Sequence, residues 1–534
     1  MKDILLITKK QEANKSRTNK FYFLTIFSVV FGNSVGIAIF TENREALLAC
    51  RNPLVLIIAY AFIGITCLSL LLVCIELMSS TENKFNTIPH WLRNFYGRRM
   101  GSISAIFYSF IYMPAIISTL ALMSWGLFFN VIDAIMLRDN WMPDDWKAAL
   151  IFILAAISII TLIIFNAYSS KYKEFVIIIL NSFKIIPIVS IFVVCGIAFF
   201  TSNTYDGTYH NEEYNNNNVF TMIFSTSGIG TDIWSLKYMV LALPIVMLSY
   251  DGFLHGVSVS NDKEYSKIVT KSSILAVILM IIINICVASM LLGVTTDANL
   301  ITLYGRVFPQ WATYTIGMLI SFCVLGSIIG FGSFGSNNYY TATDPNVEGG
   351  QILATKSGWQ YSYEKAAWRQ LFFYMIFLVF IFFCSYPFFK KFISYDQNVV
   401  TKSFLTGDAV SQIPLQFSIV VATFSFLFYT NLIFALVINR FTKKRDVNKI
   451  IGIGIFGIIL VPVLWSACFY LLYDNFSNIR FIIQISTSID DMSSLSKGIV
   501  AAFTFLQITI WLTGFFYNEW RLRKNMFRKI FANT

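Results

Sequence analysis

The stretch Gly32-Asn33-Ser34-Val35-Gly36-Ile37-Ala38-Ile39-Phe40 lies inside the first long apolar run of this chain. Two glycines, an asparagine and a serine weaken a helix there. Backbone amides freed at membrane depth need a partner, and lipid offers none. Two readings follow: an interrupted helix whose open backbone cradles a ligand, or a close packing face made by Gly32 and Gly36, four residues apart.

The rest of the chain supports a membrane setting for that stretch. Its 534 residues are 56% hydrophobic and 17% aromatic, only 13% are charged, and the mean hydropathy is +0.65. Charged residues make up about a quarter of a soluble domain, so the composition describes an all-α polytopic membrane protein. The formal net charge of +11 does not argue for nucleic acid, because the basic residues sort by membrane side. The eight cysteines are scattered, mostly within apolar segments and with no CxxC pair. They read as small buried hydrophobes, not as a disulfide frame or a metal site. A membrane transferase would need His, Asp or Glu clustered at the membrane surface. His90, His210 and His255 are the three histidines, none with a neighbouring carboxylate inside a span. No cofactor, metal or catalytic group is expected. The abundance of Phe, Ile, Asn and Lys is compatible with an AT-rich bacterial genome.

A helix needs about 20 apolar residues to cross the hydrocarbon core. That criterion predicts 12 transmembrane helices, near 21–41, 54–78, 102–130, 148–166, 174–200, 238–258, 272–293, 311–340, 370–389, 416–438, 450–473 and 498–517. The basic segment 1–20 precedes the first, with no small-residue cleavage site, so that span reads as an uncleaved signal anchor. Counted over the loops, 28 Lys and Arg fall on the side of the N-terminus and 11 on the other. The positive-inside rule then places both termini in the cytoplasm and the protein in the cell membrane. The predicted order is a cytoplasmic N-terminus (1–20), spans one to five (21–200), an extracellular loop (201–237), spans six to ten (238–440), spans eleven and twelve (441–517) and a cytoplasmic C-terminus (518–534).

Many transporters break two membrane helices near the midplane, at corresponding places in two halves, and bind substrate at the half-helix ends. A second break belongs in span six. There the sequence has Pro244, then Ser249-Tyr250-Asp251-Gly252-Phe253-Leu254-His255-Gly256. Proline removes a backbone donor, and two glycines and an aspartate lower helix stability further. Gly326 and Gly330 in span eight read as packing beside the site.

In these residues the chain resembles the amino acid–polyamine–organocation (APC) superfamily of transporters. Gly32, Val35, Gly36, Ile39 and Phe40 follow its first-span pattern, Tyr60, Gly64 and Glu76-Leu77 its second, and Tyr250-Asp251-Gly252-Phe253 its sixth. The resemblance implies a five-plus-five inverted repeat with broken helices 1 and 6, followed by two C-terminal helices. The chain departs from the family at Ala38, where a third glycine is usual, and after span two, where a Pro-x-x-Gly-Gly element is missing. It departs again at Leu254, where many members carry a glutamate linked to gating or proton coupling.

Away from the span ends, Lys184 and Asp251 are the acid and base side chains inside the spans. Each costs roughly 2.5–3.5 kcal/mol at the bilayer centre and needs a reason. In the resembled family a lysine at this point of span five reaches toward spans one and eight, where its ammonium stands in for a sodium ion. A buried ammonium pays a desolvation penalty, so its proton is a candidate for exchange during transport. The alternative is a permanently charged structural lysine bonded to carbonyls of the first span. Asp251 could hold a substrate amine or cationic side chain, or else cap a half-helix or pair with Lys184. Free amides around Asn33, Ser34, Val35, Gly36 and Ile37 suit a substrate carboxylate, with Tyr250, Asp251, Gly252 and Phe253 closing the other side. His255 reads as a core or vestibule residue, and Tyr108, Tyr112 and Pro114 as aromatic core with cavity lining the alternative. The expected function is secondary active transport of an amino acid, sodium-independent, by proton symport or exchange. A carrier of polyamines or other organic cations is the runner-up. The expected partners are a small-molecule substrate and membrane lipids.

Overall fold

The computed structural model of the chain describes residues 19–34, 43, 46–47, 49–50, 53–79, 86–136, 142–168, 170–201, 236–255, 266–294, 304, 307–344, 351–354, 362–392, 409–443, 461–473 and 492–532. All regular structure among them is helical. Helix α1 covers 19–34 and α2 covers Pro53–Met78. A short helix α3, Ile88–Tyr96, has Pro89 in its first turn and ends at Gly97, whose φ of 93° and N–H to the Arg93 carbonyl close it. The third membrane segment is continuous but not uniform. Helix α4 (Arg98–Phe107) passes through a π-helical turn, Tyr108–Tyr112, into α5 (Met113–Met136). Helix α6 is Asp144–Tyr168.

The fifth expected span is split into α7 (Ser170–Phe183) and α8 (Ile185–Thr201), with a turn at Lys184. Pro187 explains the break: it has no N–H for the carbonyl of Phe183, and its ring crowds that carbonyl. The sixth span is α9, Leu236–Tyr250. It ends in a turn over 251–254, where Gly252 has a φ of 91°. The helix therefore stops at the Asp-Gly pair, not at Pro244, which the helix accommodates.

Helices α10 (Ser266–Val294), α11 (Gln310–Thr343), α12 (Tyr363–Phe392) and α13 (Ala409–Thr442) follow. Then come α14, Val461–Tyr473, and α15, Met492–Ala532. The last runs well past the expected end of span twelve, so most of the expected C-terminal tail is helix.

Among the described residues nine helices are long and apolar enough to cross a membrane. The expected spans one, six and eleven correspond to α1, α9 and α14, each with fewer than the roughly 20 residues of a full crossing among the described residues. The second half of the first span (35–42) and most of the long loop (202–235) lie outside the described residues, as does the N-terminal segment 1–18.

Helix α5 packs along α11, α12 and α13, while α2 packs against α9, α10 and α13. Helices α5 and α13 are largely buried, whereas α6 and α15 expose much of their apolar surface. Ile153, Ile157 and Ile160 on α6, with Phe183, Val189 and Val193 on α7 and α8, face outward. Large apolar faces of this kind suit hydrocarbon, and the polar side chains turn inward among α1, α5, α9, α11 and α13.

Candidate transport site

Asn33, on the last described turn of α1, lies against two glycines. A Cβ on Gly252 would come within 3.1 Å of the Asn33 Cβ, and a Cβ on Gly330 of α11 would collide with the Asn33 carboxamide. One residue earlier, a Cβ on Gly32 would collide with the side chain of Asn181 in α7. Gly330 is thus a packing residue beside the first span, as its spacing predicts. Asn181 Nδ2 donates to the Ser28 carbonyl over 2.7 Å, and Lys184 Nζ donates to the Gly32 carbonyl. Two side chains, three residues apart, therefore hold two carbonyls of α1.

Lys184 is buried and also donates to Ser327 Oγ of α11 over 2.5 Å. The turn between α7 and α8 places it there. The ammonium thus joins the first, fifth and eighth segments, as the resemblance implies. Asp251 and Lys184, considered above as a pair, take separate partners. Tyr112 donates its hydroxyl to Asp251 Oδ2 over 2.6 Å, and the Gly252 N–H donates to Oδ1 over 3.0 Å. Tyr112 sits at the end of the π-helical turn of the third segment, and such turns re-aim side chains relative to a regular helix.

Asn33, Asp251 and Ser327 border a cavity of about 30 Å³, measured as the space open to the centre of a water-sized sphere. Asn33, Ser34, Asp251 and Leu248 line it from the first and sixth segments. Ile116, Thr119, Leu120 and Met123 of α5 form one wall. Ser327 and Phe331 of α11, with Leu415 and Ser418 of α13, form the other. A single water needs roughly 10–15 Å³ by this measure, so the cavity has room for about two waters.

The expected site residues divide into three groups. Asn33, Ser34 and Asp251 stand on the cavity wall. Val35, Gly36 and Ile37 lie outside the described residues. Tyr250, Gly252 and Phe253 stand behind the wall: Tyr250 donates to the Tyr60 carbonyl over 2.9 Å, Phe253 packs on Tyr429, and Gly252 supports Asn33. The α5 and α13 wall residues carried no signal in the sequence, since one Thr or Ser in an apolar run is unremarkable. Gly326 and Gly330 of span eight did mark the neighbourhood of Ser327 and Phe331. His255 does have a ring partner and a hydrogen-bond partner: it stacks on Phe334 and meets Asn33 Nδ2. Among the described residues no group of three His, Cys, Asp or Glu could hold a metal.

Fold and site together define a multi-pass membrane transporter, with a small, mostly apolar chamber that a few polar side chains enter. A family model described as amino acid permease matches residues 21–489. The chain belongs to the amino acid permease family, within the APC superfamily. A comparison with curated proteins gave no match.

Proposed function

We propose that this permease carries an amino acid across the cell membrane without sodium, by proton symport or exchange. Its twelve spans would form the five-plus-five inverted repeat, with both termini cytoplasmic and the cavity as the transport site. The position of Lys184 carries the reading. Its ammonium bonds Gly32 of the first span and Ser327 of the eighth, a place where a resident cation would tie the same two helices. A charge built into the chain makes a sodium ion redundant there. Loss or relocation of its proton would release the Gly32 carbonyl and loosen α1 from α11. Substrate and Lys184 would then favour outward- and inward-facing states differently, which is the requirement for alternating access.

Asp251 on the cavity wall favours a second substrate class, a cationic amino acid or a polyamine, whose extra ammonium or guanidinium would meet the carboxylate. Uptake of labelled amino acids and polyamines into proteoliposomes tests both points. Uptake is expected to persist when sodium is replaced by choline and to respond to a pH gradient or to amino acid preloaded inside. Lys184→Ala is expected to abolish the response to pH. Full proton dependence in that variant would overturn the coupling role. A cationic substrate is expected to lose at least tenfold in affinity in Asp251→Asn, and a neutral one little.

A further inference from the structure

Asn33 and His255 come from the first and sixth segments, 222 residues apart, and Asn33 Nδ2 lies 3.3 Å from His255 Nδ1. An amide NH2 donates and has no lone pair to accept with, so Nδ1 is the acceptor and the ring proton sits on Nε2. The imidazole is clamped by two rings: it stacks on Phe334 at 3.9 Å between centroids and meets Phe331 nearly at a right angle at 4.6 Å. The ring plane is therefore set by packing on these two rings, independently of Asn33. Gly252 and Gly330 leave the room that the Asn33 side chain occupies. Its Oδ1 is buried and accepts no hydrogen bond, although Asn33 lies on the cavity wall and Gly330 stands between the cavity-lining Ser327 and Phe331. A buried carbonyl oxygen is stable only with a donor, and the cavity is where one can enter.

We propose that His255 is a positioning residue for the substrate: by holding Asn33 Nδ2, it leaves Oδ1 as the acceptor offered to the ammonium group of an amino acid in the cavity. Without the Nδ1 acceptor the carboxamide can turn and present its NH2, which repels an ammonium. The inference rests on the reading of the cavity as the transport site, and it assigns His255 no contact with the substrate.

The test titrates each of the twenty protein amino acids, one at a time, into purified full-length protein and reads the melting temperature. The concentration at half-maximal stabilisation is the measured quantity. His255→Phe keeps the stacked ring and removes the acceptor; His255→Asn removes the ring but places an amide oxygen where Nδ1 stands. The midpoint is expected to rise at least tenfold in His255→Phe and to stay within about threefold of wild type in His255→Asn. The reverse order, or an unchanged midpoint in His255→Phe, shows that the ring matters only for packing and overturns the inference. Leu120→Trp, which fills the cavity from α5, separates the two failures. If it abolishes stabilisation while the His255 order is wrong, only the positioning role falls. If it leaves the midpoint unchanged, or if no amino acid stabilises the wild type, the cavity is not the amino acid site and both readings fall.

Discussion

At position 252 the backbone adopts a φ of 91°, a conformation that costs a residue with a Cβ about 1–2 kcal/mol. A methyl there would also press on the Asn33 Cβ at 3.1 Å and on Phe331 Cζ at 3.2 Å. Gly252→Ala is therefore expected to lower stability by about 2 kcal/mol, from the backbone penalty and the crowding together, in denaturation of the purified protein. Gly196, whose added Cβ meets nothing within 4 Å, is the control and should accept alanine with little change. The Asp-Gly pair was legible as an interruption because the residue types themselves disfavour helix. Tyr112 was not legible as the partner of Asp251. Its neighbours Phe107 and Tyr108 pack around it as an aromatic cluster, and the aim of its hydroxyl depends on the π-helical turn, which no spacing in the sequence announces.

Among the elements, α3 shows how burial sets the response to acid. It lies between membrane segments with His90, Trp91 and Leu92 buried, and Tyr96 donates to the Asn431 carbonyl of α13. His90 Nδ1 lies 2.7 Å from Thr87 Oγ1. Burial first, and the nearby Arg93 charge second, push His90 down to about 3. An unfolded histidine titrates near 6.5, so between about pH 6.5 and 3 the unfolded chain binds the extra proton. The stability tied to neutral His90 is complete above pH 6.5 and declines as pH falls, by at most about 1.4 kcal/mol per pH unit. His90→Gln is expected to flatten that part of the pH–stability curve; identical curves for variant and wild type would rule the role out. The break between α7 and α8 was also written in the sequence, in Pro187, but a continuous hydropathy run concealed it. Hydropathy reports burial in lipid and is indifferent to one missing amide.

Across the whole molecule, ion pairs join segments far apart in the chain. Glu76, at the end of α2, is fully buried and pairs with Arg440 near the end of α13 at 2.9 Å, the guanidinium keeping 27% of its surface exposed. Removing the guanidinium takes a charged hydrogen-bond partner from a buried carboxylate, so Arg440→Ala is expected to lower stability by about 1–3 kcal/mol. Glu76→Gln combined with Arg440→Gln should recover part of that loss, because the buried carboxylate charge is then removed as well; melting curves of the two variants decide it. The sequence by itself determined a multi-pass helical protein, the interruption of span six at the Asp-Gly pair and two charged groups within the membrane. These follow from local composition: the bilayer sets the length of an apolar run, and helix propensity falls wherever Gly, Asp and Pro gather. Only the tertiary structure decided that Lys184 and Asp251 part company, that Asn33 meets His255, and that Thr119 and Ser418 face the same small cavity as Ser34. Those facts join residues up to several hundred positions apart. Each depends on how helices turn about their axes, which side-chain packing sets and periodicity in one segment does not record.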